Sequence, residues 1–268
     1  MPSKINALEW LFCDDDPETV GMVKEQLVMQ GDAAVGDLNR LANADSPIVS
    51  AHAQEVLHAI TGRKASEELV EIMMDNAEIP LEKASWLVSG ALMPWLDLEE
   101  SKRMLDRLGL ELLVRLTGGD QEPVSTLTKF LHHELGFKGN QSDYHNQEDS
   151  LLPCVLLNRR GLPLALSLLT IFVGTRAGIP VHGVNLPGHF IVRCGDIYFD
   201  PFHKGRIISL ADCANILLRQ GIELNDCHLE NPSSRDVFAR MLANLRHAYT
   251  IKEANWQVSL VDRWMSLL

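Results

Sequence analysis

His189 and Asp200 are the residues whose types and spacing most directly suggest chemistry in this chain. The segment His189 to Cys194, the dipeptide Gly195-Asp196 and the segment Ile197 to Phe202 predict a β-hairpin with a two-residue turn. In that register Cys194 faces Ile197, Val192 faces Phe199 and Ile191 faces Asp200. Period-two alternation then puts Phe190, Val192, Cys194, Ile197, Phe199 and Pro201 on one face. That face is apolar apart from a thiol, so it must pack on a core. His189, Ile191, Arg193, Tyr198, Asp200 and Phe202 share the other face. There His189 and Asp200 are diagonal neighbours, roughly 7–8 Å apart at the backbone, a gap that an imidazole and a carboxylate can bridge. A carboxylate so placed fixes the ring tautomer, as in the His–Asp pairs of nucleophilic catalysis. The same spacing also suits a half-buried histidine held by an aspartate for stability alone.

Few nucleophiles stand ready for such a pair. The five cysteines (13, 154, 194, 213 and 227) are scattered, with no CxxC among them, which argues against a disulfide framework or a zinc ribbon. Cys154, between apolar neighbours, is expected to be a buried small hydrophobe. Cys194 points to the face opposite His189. Ser167 lies one turn into a predicted helix; its hydroxyl is a candidate near His189, although a mid-helix serine commonly bonds its own backbone. His182, His189, Asp200 and His203 form a conceivable ligand set. No H-x-x-x-H spacing supports it, so no metal and no cofactor are assigned. Arg159 and Arg160 precede the same helix, where the dipole favours an anion; pairing with Glu148 and Asp149, or plain solvation, are alternatives. Asn185, in N-L-P-G-H, either closes that turn or orients His189. His132 and His133 are expected on an exposed helix end, and Trp256 and Trp264 as packing residues.

The elements that must position these residues read in three parts. Leu8, Leu11, Pro17, Val23, Glu25 and Leu27 are matched thirty positions later by Leu38, Leu41, Pro47, Ala53, Glu55 and Leu57. Each unit is a short helix, an acidic or Ser turn ending in Pro, and a second helix. The pattern resembles HEAT-like repeats, and an ordinary helical bundle would give it too. Helical stripes continue over residues 80–117 and 123–134. The polar stretch 138–150 reads as a loop. Residues 152–158 and 163–177 predict helices, the second closed by Gly178 and Pro180. Strand 181–185 and the hairpin follow, then a helix over 210–220. Residues 232–268 predict a helical hairpin. The boundaries are 1–76, 77–231 and 232–268.

At 268 residues, 46% hydrophobic and 22% charged, the composition is globular. A net charge of −12 disfavours nucleic-acid and anionic-membrane partners. The longest apolar run, Leu162 to Val173, falls short of the ~20 residues of a bilayer span. The N-terminus lacks the apolar core of a leader, so a reducing cytoplasm is the expected location.

Longer motifs run through the same region. They are F-L-H-H-E-L-G-F-K-G-N from Phe130, Tyr144, S-L-L-P-C-V-L from Ser150 and R-R-G-L-P-L-A-L-S-L-L from Arg159. G-I-P from Gly178, G-V-N-L-P-G-H-F from Gly183 and F-D-P-F-H-K-G-R from Phe199 follow. Upstream stand L-E-K-A-S-W-L-V from Leu81 and W-L-D-L-E-E from Trp95. Together they resemble the transglutaminase-like family typified by the bacterial SirB proteins (the first of the pair), and a related region of an F-box protein. Residues 80 to 268 are covered.

The resemblance implies an α+β fold: a transglutaminase-like, papain-like core with a small antiparallel sheet packed on a central helix. A helical HEAT-like array precedes it, and a tetratricopeptide-like hairpin follows. It also implies a Cys–His–Asp triad in the wider superfamily, with His189 and Asp200 at the last two positions. The nucleophile slot falls on Pro163, because Gly161-Leu162-Pro163 stands where an enzyme has Gly-x-Cys. Proline supplies no nucleophile and no N–H there, and the SirB-like branch commonly has it. The implied pair is a relict. The expected function is a non-catalytic interaction or regulatory protein, with a protein partner on its helical regions. The alternative is a hydrolase or acyl-transferase using His189 and Asp200 with an unorthodox nucleophile or a metal. The loop Gly136 to Gln147 resembles one that runs over the triad, so Asn140 and Tyr144 are expected to line the His189 cleft. The N-terminus of the 163–177 helix would bound it, and a small anion or acyl group would be its ligand.

Overall fold

Prolines at matched positions of the repeat, Pro17 and Pro47, start two of the N-terminal helices. The computed structural model describes residues 4–75, 77–118, 122–141 and 146–268. Four helices come first: α1 (Lys4–Phe12), α2 (Pro17–Gln30), α3 (Asp32–Leu41) and α4 (Pro47–Asp75). Asp16 caps α2 by accepting the N–H groups of Glu18 and Thr19. The thirty-residue echo is therefore one helix–turn–helix made twice. Leu8, Phe12, Leu27, Leu38, Leu41 and Val56 close a core of their own. By its contacts the chain divides into two compact units, Met1–Leu69 with Gly90–Leu96, and Val70–Ser89 with Asp97–Leu268.

The second unit is built round one apolar helix. α5 (Leu81–Leu92), α6 (Leu98–Thr117) and α7 (Pro123–Thr128) lead in, then β1 (Lys138–Gly139), α8 (Leu152–Asn158) and β2 (Arg160–Gly161). α9 (Pro163–Arg176) follows and is buried on nearly every side, as a helix apolar all round must be. Gly178 takes φ +75° just past its end, and the Ile179 N–H returns to the Gly174 carbonyl at 2.8 Å. Next come β3 (His182–Val184), β4 (Ile191–Cys194), β5 (Ile197–Asp200) and β6 (Arg206–Ile208), joined antiparallel in that order. α10 (Leu210–Leu218) and the hairpin α11 (Ser234–Ile251) with α12 (Asn255–Met265) complete the chain.

Both faces of the sheet are covered. Phe190, Val192 and Phe199 are wholly buried on the face predicted to meet a core. α9 packs against β3 and β4, and Ser167 Oγ donates to the Phe190 carbonyl at 3.4 Å. On the other face Ile191 and Ile208 pack with Cys213 and Leu217 of α10. The fold is α+β, with a small antiparallel sheet on a central helix and helices at both ends of the chain.

Three sequence expectations need correction. The stretch 138–150 is not all loop: β1 pairs in parallel with β2, and Gln147–Ser150 forms a 3₁₀ turn. Those strands are two residues long, too short for any alternation to show. The helix expected over 123–134 changes to a π-helix at Lys129–Glu134. Within it His132 is buried while His133 is exposed. Among the described residues no helix is long and apolar enough to cross a membrane.

Candidate functional site

The hairpin has the register its turn dictates. Val192 pairs with Phe199 and Cys194 with Ile197. His189 therefore precedes β4 beside the last residue of β5, and its Nε2 lies 2.7 Å from Asp200 Oδ2. The chain then turns sharply through Pro201 to Gly205. Lys204 and Gly205 both take positive φ, and the Gly205 N–H closes the turn on the Asp200 carbonyl at 2.8 Å. Asp200 Oδ1 accepts the N–H groups of Phe202 at 2.9 Å and His203 at 3.3 Å. The same turn brings His203 Nδ1 to 2.7 Å from Asp200 Oδ2.

Asp200 is thus a buried carboxylate with both oxygens occupied. Burial works to raise its pKa, but hydrogen bonds from His189 and then His203 outweigh it and hold the carboxyl below its ordinary value. The three side chains border a depression of about 370 Å³, walled by Arg206, Asp212, Asn215, Arg219 and Gln220. Arg206 is tied to Asp212 at 2.9 Å.

The structure places the other candidates elsewhere. Pro163 is the first residue of α9, behind Leu162, whose N–H bonds the Asp149 carbonyl at 2.8 Å. Among the described residues the depression beside His189 is walled by α10, and neither the head of α9 nor the 138–150 stretch lines it, which corrects the expected cleft. Asn140 and Arg160 line a separate hollow of about 460 Å³ with Lys138, Phe202, His203 and Lys204. Asn140 is buried and donates to Asp149 at 2.7 Å. Arg159 Nη1 donates to the Leu135 carbonyl at 2.9 Å, and Glu148 accepts Asn158. Asn185 is bound by Arg240 of α11, which also donates to the Leu186 carbonyl. Ser167 is fully buried against β4. Tyr144 lies outside the described residues.

Thiols are unfavourably placed for nucleophilic work. Burial, then the charges of Glu148 and Asp149, push Cys154 up to about 12. Burial also raises Cys194 and Cys213. Sequence reasoning underweighted His203 and missed His132. His203 had one signal, its position three residues after Asp200 across a proline turn. His132 had a weak one, its place four and eight residues after the buried Thr128 and Val124.

A four-stranded antiparallel sheet laid across an apolar helix, with a histidine just before one strand meeting an aspartate at the end of the next, fits a transglutaminase-like core. A family model described as the transglutaminase-like superfamily matches residues 99–243. The chain belongs to that superfamily. A UPF0162 protein of Xylella fastidiosa is 29% identical over 193 residues, 66% of this chain and 67% of its own. A UPF0162 protein of Pseudomonas aeruginosa is 36% identical over 122 residues, 44% of this chain and 45% of its own. Human F-box only protein 21 is 31% identical over 127 residues, 43% of this chain but 20% of its own. No solved structure matches the chain.

Proposed function

We propose that this protein is a non-catalytic member of its superfamily, of the SirB type, that works by binding a protein partner. One observation carries the reading: Pro163 occupies the first position of α9, where the resemblance puts the nucleophile. A proline there keeps the helix start well formed but removes the attacking atom and an N–H that could serve an oxyanion. The raised cysteines offer no activated thiol in its stead. Stacked helical pairs suit partner recognition, which supports the HEAT-like N-terminal region and the α11–α12 hairpin as docking surfaces. The reducing cytoplasm is the proposed setting.

Reaction with an electrophilic acyl probe, mapped by mass spectrometry, tests the reading. Exposed Cys13 and Cys227 should label slowly, as ordinary thiols do. Fast labelling of Cys154, Cys194 or Cys213, lost in His189→Ala, would show a working nucleophile and overturn it.

A further inference from the structure

Two imidazoles converge on one carboxylate oxygen, which is more than a tautomer-fixing pair needs. His189 Nε2 and His203 Nδ1 each stand 2.7 Å from Asp200 Oδ2. One nitrogen from each ring and that oxygen all lie within 4.8 Å of one another. Asp200 Oδ1 is anchored by two backbone N–H groups, so Oδ2 is held at the shared vertex. Ligands at roughly 2.0–2.2 Å from a tetrahedral ion stand roughly 3.4 Å apart, so each ring must retreat by only about 0.7 Å.

We propose that His189, Asp200 and His203 form a three-ligand site for a divalent transition-metal ion, zinc being the best match to two imidazoles and a carboxylate. The carboxylate is desolvated while both rings reach the depression beside α10, with side chains 12% and 48% exposed. A fourth position therefore faces solvent, as in open zinc sites. Each neutral ring can carry its proton on the nitrogen that does not bind the ion. The rim sets Arg206 and Arg219 against Asp212, so its charge does not itself attract a cation. Asp200 supplies that attraction, and the arginines suit a water, hydroxide or small anion on the fourth position. The three were among the conceivable ligands in the sequence, but no ligand spacing marked them, because they come from a hairpin and a proline turn and not from one helix face. The site needs no nucleophile, so it stands or falls separately from the non-catalytic reading.

The test uses the full chain, stripped with a chelator. Zn²⁺ is titrated by calorimetry and Co²⁺ by visible absorption. One ion should bind per chain, Co²⁺ should show the intense bands of a tetrahedral site, and the protein should melt higher with Zn²⁺. His203→Gln, at a half-exposed position, should weaken binding by about tenfold or more. His182→Gln, on β3 and outside the cluster, should leave it unchanged. Absence of saturable binding, or binding that His203→Gln leaves intact, overturns the proposal and leaves a hydrogen-bonded triad.

Discussion

The imidazole of His132 lies against Gly205: a Cβ on that glycine would stand 2.5 Å from His132 Cδ2 and 2.9 Å from Thr128 Cβ. Gly205 also holds φ +69°, where a side chain is strained in any surroundings. Gly205→Ala should therefore cost roughly 2–4 kcal/mol, combining left-handed strain with overpacking. Gly178 has φ +75° but nothing within 4 Å of its would-be Cβ. Gly178→Ala should cost only the conformational part, roughly 1–2 kcal/mol. Denaturant unfolding of both variants measures the difference. Equal costs would mean that His132 gives way freely.

His132 makes a second prediction through its proton. Its Nδ1 bonds the Phe137 carbonyl at 2.9 Å, and its Nε2 is buried with no hydrogen-bond partner. Burial pushes its pKa down from 6.5 to about 4, against a smaller opposing effect of the Phe137 carbonyl. A lowered histidine pKa means that the unfolded chain binds the proton first as pH falls. Stability tied to neutral His132 is thus complete above pH 6.5, declines below it, and is fully lost near pH 4. The span corresponds to about 3 kcal/mol. We expect the melting temperature to fall across that window, and His132→Gln to flatten the slope. An unchanged slope in the variant would place the titrating group elsewhere.

The sequence was legible where local rules act alone. The Gly195-Asp196 turn sets the β4–β5 register, and that register brings His189 to Asp200. Gly178 marks the end of α9 for the same local reason. What escaped depends on chain reversal or on very short elements. The β1–β2 bridge is two residues wide. His203 joins the pair through the reversal from Pro201 to Gly205, closed by the Gly205 N–H on the Asp200 carbonyl, which hairpin parity alone does not give. α10 covers the second sheet face through contacts distant from the hairpin, so the cleft lay beside α10 and not at the head of α9.

Asp200→Asn should separate scaffold from site. The amide keeps one acceptor for the Phe202 and His203 N–H groups but presents a donor or a neutral oxygen to two rings. We expect a loss of about 1–3 kcal/mol at neutral pH. Because the Asp200 carboxyl is held below 3.8, its contribution is complete above that pH and disappears as pH falls through the lowered folded value. This window lies below that of His132. Wild type and variant should therefore converge in stability only in strong acid. Convergence already at pH 5 would show that the carboxylate is not the group lost.

Arg240 gives the last prediction, because it pins the turn that delivers His189. The Leu186 carbonyl accepts the His189 N–H at 3.0 Å and Arg240 Nη1 at 2.7 Å. Arg240 also bonds Asn185 Oδ1, and its guanidinium lies 5.7 Å from the centre of the Phe190 ring. Arg240→Met keeps much of the packing but removes the bond to Asn185 Oδ1 and leaves the Leu186 carbonyl with the His189 N–H alone. It should cost about 1–3 kcal/mol and speed hydrogen exchange at the His189 amide. Both bonds leave the one nitrogen Nη1, so Arg240→Lys should recover part of the loss, falling short because its ammonium lacks the guanidinium plane that lies over the Phe190 ring. If lysine restores both stability and exchange protection, positive charge alone holds the turn, and the planar geometry of arginine is incidental.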